Sequence, residues 1–211
     1  MRVLVVGATG RVGRRVVDRL LDASHEVAGL ARDPSVLPAT VHTVAGDVRD
    51  PVVVREALTA GDGSPVNAVV SALGTPPGEA ADDTLSAGVR TLVEAMTDLG
   101  IERFIGVAAA GVLDAPGGGL RLDAEGFPPF LRGVAEQHRA VYEMLTDSSL
   151  QWTLVCPPNM PDSDATGQAR IENDRLPDGE TQVTTGDVAA FVVRTLTDCT
   201  PLGRVGIVGP T

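Results

Sequence analysis

Apolar residues fall along this chain in two rhythms. Apolar runs of strand length recur at residues 3–6, 26–31, 41–45, 66–71, 104–108 and 153–156. Between most of them, apolar positions recur three and four residues apart, over 11–23, 52–58, 84–99 and 130–146. A continuous apolar run suits a strand buried on both faces, and the longer period suits a helix with one buried face. Their alternation predicts an α/β protein with a doubly wound parallel sheet and helices on both faces. A late helix over 187–196 follows Thr184 and Asp187, which stand at capping-box spacing, so Asp187 is expected to be structural. A last short strand is expected over 204–208. The whole chain, 1–211, reads as one domain. Two stretches break the rhythm, 113–126 with "DAPGGGLRLDAEG" inside it and the proline-rich 157–180. Both follow strands, and ligands of doubly wound sheets lie outside the carboxyl ends of strands. These stretches are therefore expected to be loops that cover a substrate.

Charge narrows the partners. The chain carries 28 acidic and 17 basic residues, a net charge of −11, and all the basic residues are arginine. With no basic cluster to neutralise a phosphate backbone, nucleic acid is excluded as an expected partner. The two cysteines, Cys156 and Cys199, are too far apart for a metal-ligand pair and too few for a disulfide framework. They are expected to be buried thiols in a reducing compartment, and no metal is expected. No apolar run approaches the ~20 residues of a membrane span, and a strand is expected from residue 2 onward, so a soluble cytoplasmic protein is expected.

The candidate chemistry begins at "GATGRVG". Gly7, Gly10 and Gly13 lie between a predicted strand and a predicted helix. Glycine permits a tight turn and lets backbone approach a pyrophosphate, while the helix N-terminus offers unpaired N–H groups and a positive dipole end. A dinucleotide needs a second contact at the end of the next strand, which reads "ARDPSVLP". There Arg32 presents a planar cation suited to a 2′-phosphate, which favours NADP over NAD, although the adjacent Asp33 could bind a ribose hydroxyl. Arg11 could add charge to the same phosphates, and Arg14, Arg15 and Arg19 are expected on a solvated helix face. At the third strand end, "AGDVRD" places Asp47 and Val48 beside an adenine. At the fourth, "SALGT" supplies the small residues Ala72 and Gly74.

These stretches, together with "SAGVRTLVEAMTDLGIERFIGV" and "SLQWTLVCPPNM", resemble the atypical short-chain dehydrogenase/reductase proteins, and among them the flavin and biliverdin-IXβ reductase branch. The resemblance runs from the first residue to about Val208. It implies a Rossmann domain binding NADP(H), with contacts from Gly7, Thr9, Gly10, Arg11, Val12 and Gly13 in the turn, and from Arg32, Asp47, Val48, Ala72, Leu73 and Gly74. The nicotinamide would lie at the ends of the fifth and sixth strands, near Ala108, Ala109, Cys156 and Pro157.

The catalytic groups depart from the family. Ordinary members use Tyr-x-x-x-Lys, which a chain without lysine cannot contain. By its distance from "SLQWTLVCPP", the lysine place is taken by His138 and the tyrosine place by Val134. A histidine titrates near neutrality, so His138 is expected either to bind the ribose or donate a proton, or to be a partly exposed histidine with no role in the chemistry. The serine or threonine after the fifth strand and the histidine after "PP" in the resembled reductases are here Ala109 and Asn159. Asparagine donates hydrogen bonds but delivers no proton at neutral pH. Hydride transfer to a flat conjugated acceptor such as a flavin, quinone or tetrapyrrole-like ring tolerates that loss, with Ala108, Ala109, Ala110 and Met160 as a floor. An NADP-binding regulator without catalysis, and a non-redox isomerase, dehydratase or cyclase acting through His138 and Asn159, are the other readings.

Overall fold

The apolar runs become strands at the expected places. The structure, a computed structural model, describes residues 1–74, 82–179, 181–198 and 203–210. Its eight strands are β1 (Arg2–Val6), β2 (Glu26–Ala31), β3 (His42–Ala45), β4 (Ala68–Ser71), β5 (Arg103–Val107), β6 (Gln151–Cys156), β7 (Arg170–Asn173) and β8 (Gly203–Val208). They form one sheet in the order β3-β2-β1-β4-β5-β6-β8-β7, parallel throughout except for β7 against β8. Strand order reverses between β1 and β4, and such a switch point opens a crevice at the strand ends.

Side-chain alternation along the strands divides the core in two. Leu4 and Val6 face one way, into a layer with α2 (Pro51–Leu58), α3 (Thr84–Leu99) and α4 (Pro129–Thr146). Val3 and Val5 face the other way, toward α1 (Arg11–Asp22) and α5 (Thr185–Asp198). Burying each such side chain contributes roughly 1.5–3 kcal/mol, so a register slip that turned either set outward would forfeit most of the core. Among the described residues, no helix is long and apolar enough to cross a membrane. Nor does any group of three His, Cys, Asp or Glu side chains stand ready to hold a metal.

Both expected covering loops prove partly structural. In the first, Leu113 and Leu122 are buried in the α4 layer, and Ala115 is buried as well. Arg204 on β8 pins it: one Nη donates to the Val112 carbonyl at 2.8 Å, and the other pairs with Asp114 and Asp174, each at 2.9 Å. The same guanidinium lies 4.6 Å from the centre of the Tyr142 ring, whose partner across an edge contact is Trp152. The chain's one tyrosine is thus a packing residue on α4. The second loop contains β7, which the sequence pattern did not reveal because its residues are largely exposed and mostly polar. Two glycines mark where this excursion lies close to the rest of the fold. A Cβ at Gly186 would lie 2.2 Å from the Ala165 nitrogen, and one at Gly206 would lie 1.9 Å from the Arg175 carbonyl oxygen.

Asp187 has the structural role its spacing predicts. Its N–H donates to Thr184 Oγ1 at 2.9 Å, and its carboxylate accepts from Thr166 Oγ1 at 2.8 Å and the Gly167 N–H at 2.9 Å. Thr184 caps α5 by accepting that N–H, and the Asp187 carboxylate anchors the β6–β7 excursion. Cys156 is buried as expected, and burial pushes its thiol up to about 12. Cys199 lies outside the described residues.

Candidate cofactor cleft

A cleft of about 320 Å³ opens at the switch point, bounded by the ends of β1, β2, β3 and β4 and by the start of α3. Its shape begins with the glycine turn. Gly7 has a left-handed φ of +74°, and a Cβ there would lie 2.7 Å from the Ala72 carbonyl oxygen. At Gly13 a Cβ would lie 2.0 Å from the Gly7 carbonyl oxygen. The protein's own packing therefore requires both glycines. Gly10 differs: among the described residues a Cβ there would meet only the Gly7 oxygen, at 3.3 Å, so the space before it is open to a ligand.

Helix α1 starts at Gly10 without a side-chain cap, and its first intrahelical bond runs from the Arg14 N–H to the Gly10 carbonyl at 3.0 Å. The N–H groups of Arg11, Val12 and Gly13 precede that bond and stand at the positive end of the helix dipole. An open glycine before uncapped N–H groups is the cradle that a pyrophosphate fits.

Gly7, Thr9, Gly10, Arg32, Asp47, Val48, Ala72, Leu73 and Gly74 line the cleft together, as their expected roles require. Arg32 is exposed and has no hydrogen-bond or ion-pair partner among the described residues. Its neighbour Asp33 accepts the Ser35 N–H at 3.0 Å, which ties that carboxylate into the local turn. Asp47 is held by Arg49: Oδ1 accepts the Arg49 N–H at 2.9 Å and Nε at 3.0 Å, and Oδ2 accepts Nη2 at 2.6 Å. These bonds, with the Arg49 side chain first among them, hold the Asp47 carboxyl down at about 2. Leu30, Ala31, Gly46, Arg49, Asp82, Thr84 and Leu85 also line the cleft. Their place in the cleft was not foreseen from the sequence, although "GDVRD" put Arg49 two residues from Asp47, and Asp82 stands two residues before Thr84 at the start of a predicted helix.

The other expected site residues lie further along the crest, outside the cleft wall. The Ala108 N–H donates to Val155 at 2.7 Å and the Ala110 N–H to Pro157 at 3.0 Å, which sets Ala108 and Ala109 beside Cys156 and Pro157. Asn159 is exposed, with its backbone held by Thr181 and Val183. Met160 packs partly buried in the same core layer as Ala72. His138, on the inner face of α4 with Ala135, Val141 and Leu145, is only 5% exposed and does not line the cleft. The expected titration near neutrality is corrected: desolvation pushes its pKa down to about 4, so the ring is neutral at pH 7.

The arginines of α1 reach partners beyond their own helix. Arg11 donates to the Met160 carbonyl at 2.9 Å. Arg14 pairs with Asp162 at 2.6 Å, and Arg15 pairs with Asp164 at 2.8 Å and with Asp162 at 3.4 Å. Asp162 also accepts from Thr185 Oγ1, at 2.9 Å. Arg14 thus lies exposed on the outer face of α1, as expected, and Arg15 beside it is half-buried, with both paired to aspartates after β6. They form a latch between the glycine-turn helix, the segment after β6 and the start of α5. Arginines at a helix N-terminus oppose the dipole, and the two aspartates offset that cost.

A doubly wound sheet with a glycine cradle at its switch point defines a nucleotide-binding Rossmann protein. The chain belongs to the NAD(P)H-binding family, which matches residues 7–199. It is similar to the uncharacterized protein YwnB of Bacillus subtilis (strain 168), at 27% identity over 164 residues, 74% of this chain and 71% of YwnB. Among solved structures it is similar to a Burkholderia pseudomallei protein, with a TM-score of 0.83, 28% identity and 99% of each chain covered. ChuY from Escherichia coli O157:H7, named as an anaerobillin reductase, shares the fold with a TM-score of 0.83, 23% identity, and coverage of 100% of this chain and 98% of that one.

Proposed function

We propose that the cleft binds NADP(H) and that the protein is an oxidoreductase reducing a flat conjugated acceptor. The observation that carries this reading is the pairing of the open turn at Gly10 with Arg32 at the end of β2, which makes no hydrogen bond or ion pair among the described residues. Family membership supports a nicotinamide cofactor. The preference for the phosphorylated form rests on Arg32, because a guanidinium recognises phosphate through two parallel hydrogen bonds and Asp33 is turned toward Ser35. The pyrophosphate would lie on the N–H groups of Arg11, Val12 and Gly13, and the adenosine between Arg32, Asp47 and Val48. Leu73 and Gly74 would border the path toward Ala108, Ala109, Cys156 and Pro157.

When bound, the nicotinamide supplies a hydride. The chain's own residues then have to position an acceptor and manage its proton. Ala109 has no donor, the Cys156 thiol is held protonated in the core, and Asn159 offers only an amide. His138 is neutral at pH 7 and buried away from the cleft. Such surroundings favour an acceptor that takes hydride readily and draws its proton from water, as flavins, quinones and tetrapyrrole-like rings do. ChuY's name as a reductase on the same fold agrees with this class.

The same lack of donors also favours a second reading, an NADP-binding regulator without catalysis. Steady-state oxidation of NADPH against a panel of flavins, quinones and linear tetrapyrroles, with NADPH and NADH dissociation constants measured beside it, separates the two. Turnover with at least one acceptor supports the reductase. Tight NADPH binding without turnover of any acceptor replaces it with the regulator, and equal affinity for NADH removes the role of Arg32.

A further inference from the structure

We propose that Arg49 determines the base specificity of the cleft, by holding the Asp47 carboxylate so that it accepts an exocyclic amine and rejects a ring carbonyl. The proposal rests on the NADP(H) reading of the cleft and adds a positioning residue to it.

An ionised carboxylate has about four lone-pair sites, two on each oxygen. Arg49 occupies both sites on Asp47 Oδ1, through its backbone N–H at 2.9 Å and Nε at 3.0 Å, and one site on Oδ2, through Nη2 at 2.6 Å. One acceptor site remains, on an oxygen whose orientation is fixed by a two-point contact. The guanidinium is itself fixed from the other side, where Nη1 donates to Asp83 at 3.2 Å beside the start of α3. Arg49 therefore spans from the end of β3 to the start of α3, and both Asp47 and Arg49 line the cleft.

The chemistry of that last acceptor is restrictive. Because Arg49 keeps Asp47 ionised across the working pH range, the carboxylate never turns into a donor. A 6-amino purine offers it an N–H at that place, whereas a 6-oxo purine presents an acceptor there, and its N1–H reaches the carboxylate only if the base shifts. A site built to receive a donor rejects the analogue that lacks one far more strongly than it rejects a change of size. Without Arg49, Asp47 is free to rotate and to hydrate, and the same cleft still has Arg32 and the turn with which to bind phosphates. Base discrimination should therefore fall while phosphate-driven affinity is largely kept.

The test is titration of the full-length protein with NADPH and with its hypoxanthine analogue, followed by calorimetry or by quenching of Trp152. Wild type should bind the adenine form at least about tenfold more tightly, the equivalent of one unpaired polar group. Arg49→Gln should bind NADPH within a few fold of wild type but with the ratio reduced to about threefold or less. Arg49→Lys, which keeps the charge and loses the fork, should also lose most of the ratio. Asp47→Asn, which offers an amide donor, should lower or invert it. A loss of phosphate affinity in Arg49→Gln with the ratio intact would show a merely electrostatic residue and overturn the proposal, as would wild-type binding of both bases alike. Failure of wild type to bind NADPH and NADH at all would instead overturn the cofactor reading, and this inference with it.

Discussion

The ends of β1, β2 and β3 and the ends of β5 and β6 are places of the same kind, the carboxyl edge of one parallel sheet, yet they are built differently. At the first, each polar group stands within a few residues of its strand: Gly7 and Gly10 after β1, Arg32 directly after β2, Asp47 two residues after β3. Short hydrogen-bonded turns fix these groups and leave an open cleft between them. At the second, the chain leaves on long excursions that return to the body of the protein, with Leu113 and Leu122 under α4 and Asp162 against α1. A short connection leaves its charges free to meet a ligand, while a long one has to satisfy its own backbone and charges first. That difference explains why Arg32 has no ion pair among the described residues while Arg14 and Arg15, on α1, are engaged.

The sharpest way to break this contrast is Gly10→Val. The backbone at Gly10, with φ −74° and ψ 171°, accepts valine, and only the Gly7 oxygen lies near the added Cβ. The fold should persist by circular dichroism, with NADPH affinity reduced by about a hundredfold or more because the branched side chain fills the pyrophosphate's place. Retained affinity would make the turn a packing device, like the excursions after β5 and β6.

A second test asks whether the β5–β6 side is packing rather than acid catalysis. His138 holds its proton at about 4 in the folded chain against 6.5 in the unfolded one. The unfolded state therefore takes up the proton first, and stability that is full above pH 6.5 is lost as the pH falls toward 4, by on the order of 3 kcal/mol. Denaturant titrations from pH 7 to pH 4 should show this slope in wild type and a flatter one in His138→Gln. The same variant should keep NADPH oxidation within about tenfold, since loss of a general acid would cost about 10² to 10⁴. A loss of that size, with a rate profile that titrates near neutrality, would return His138 to the chemistry.

Next in size is Arg32→Ala. A charge-assisted arginine–phosphate contact contributes about 1.5–3 kcal/mol, so NADPH affinity should fall roughly tenfold or more while NADH affinity hardly changes. Parallel titrations with the two cofactors measure it, and an equal loss for both would remove the 2′-phosphate from this residue.

The smallest effect belongs to the latch. Asp162→Asn weakens ion pairs that are partly open to solvent, so a stability loss of about 0.5–1 kcal/mol is expected, shrinking in about 0.5 M salt. Thermal unfolding at low and high salt reads it out. NADPH affinity should stay unchanged, and a change in affinity without a change in stability would join the latch to the cleft.

Much of the cleft was legible because its wall is local. Gly7, Gly10, Arg32, Asp47 and Gly74 could be placed by counting from the ends of apolar runs, and they do line one cleft. Asp187 was legible for the same reason, since its partner Thr184 is three residues away. Arg49 was within reach, two residues from Asp47, but "GDVRD" does not say that its side chain turns back to bind its neighbour. His138 was misjudged because spacing to a motif fixes a residue's place on a helix and not the depth at which that helix face is buried.

By itself, then, the sequence determined the alternating architecture, the glycine cradle, the cation at the end of β2 and the impossibility of a Tyr-x-x-x-Lys site. Each follows from periodicity, short spacing or composition. Tertiary structure alone decided that Arg14 meets Asp162, 148 residues away, that Arg204 joins Val112, Asp114, Asp174 and Tyr142, and that β7 pairs with β8. Contacts of that kind leave no local rhythm in the chain. They exist only once burial of the two apolar layers has brought distant segments together, and with them the closing of the far end of the crest.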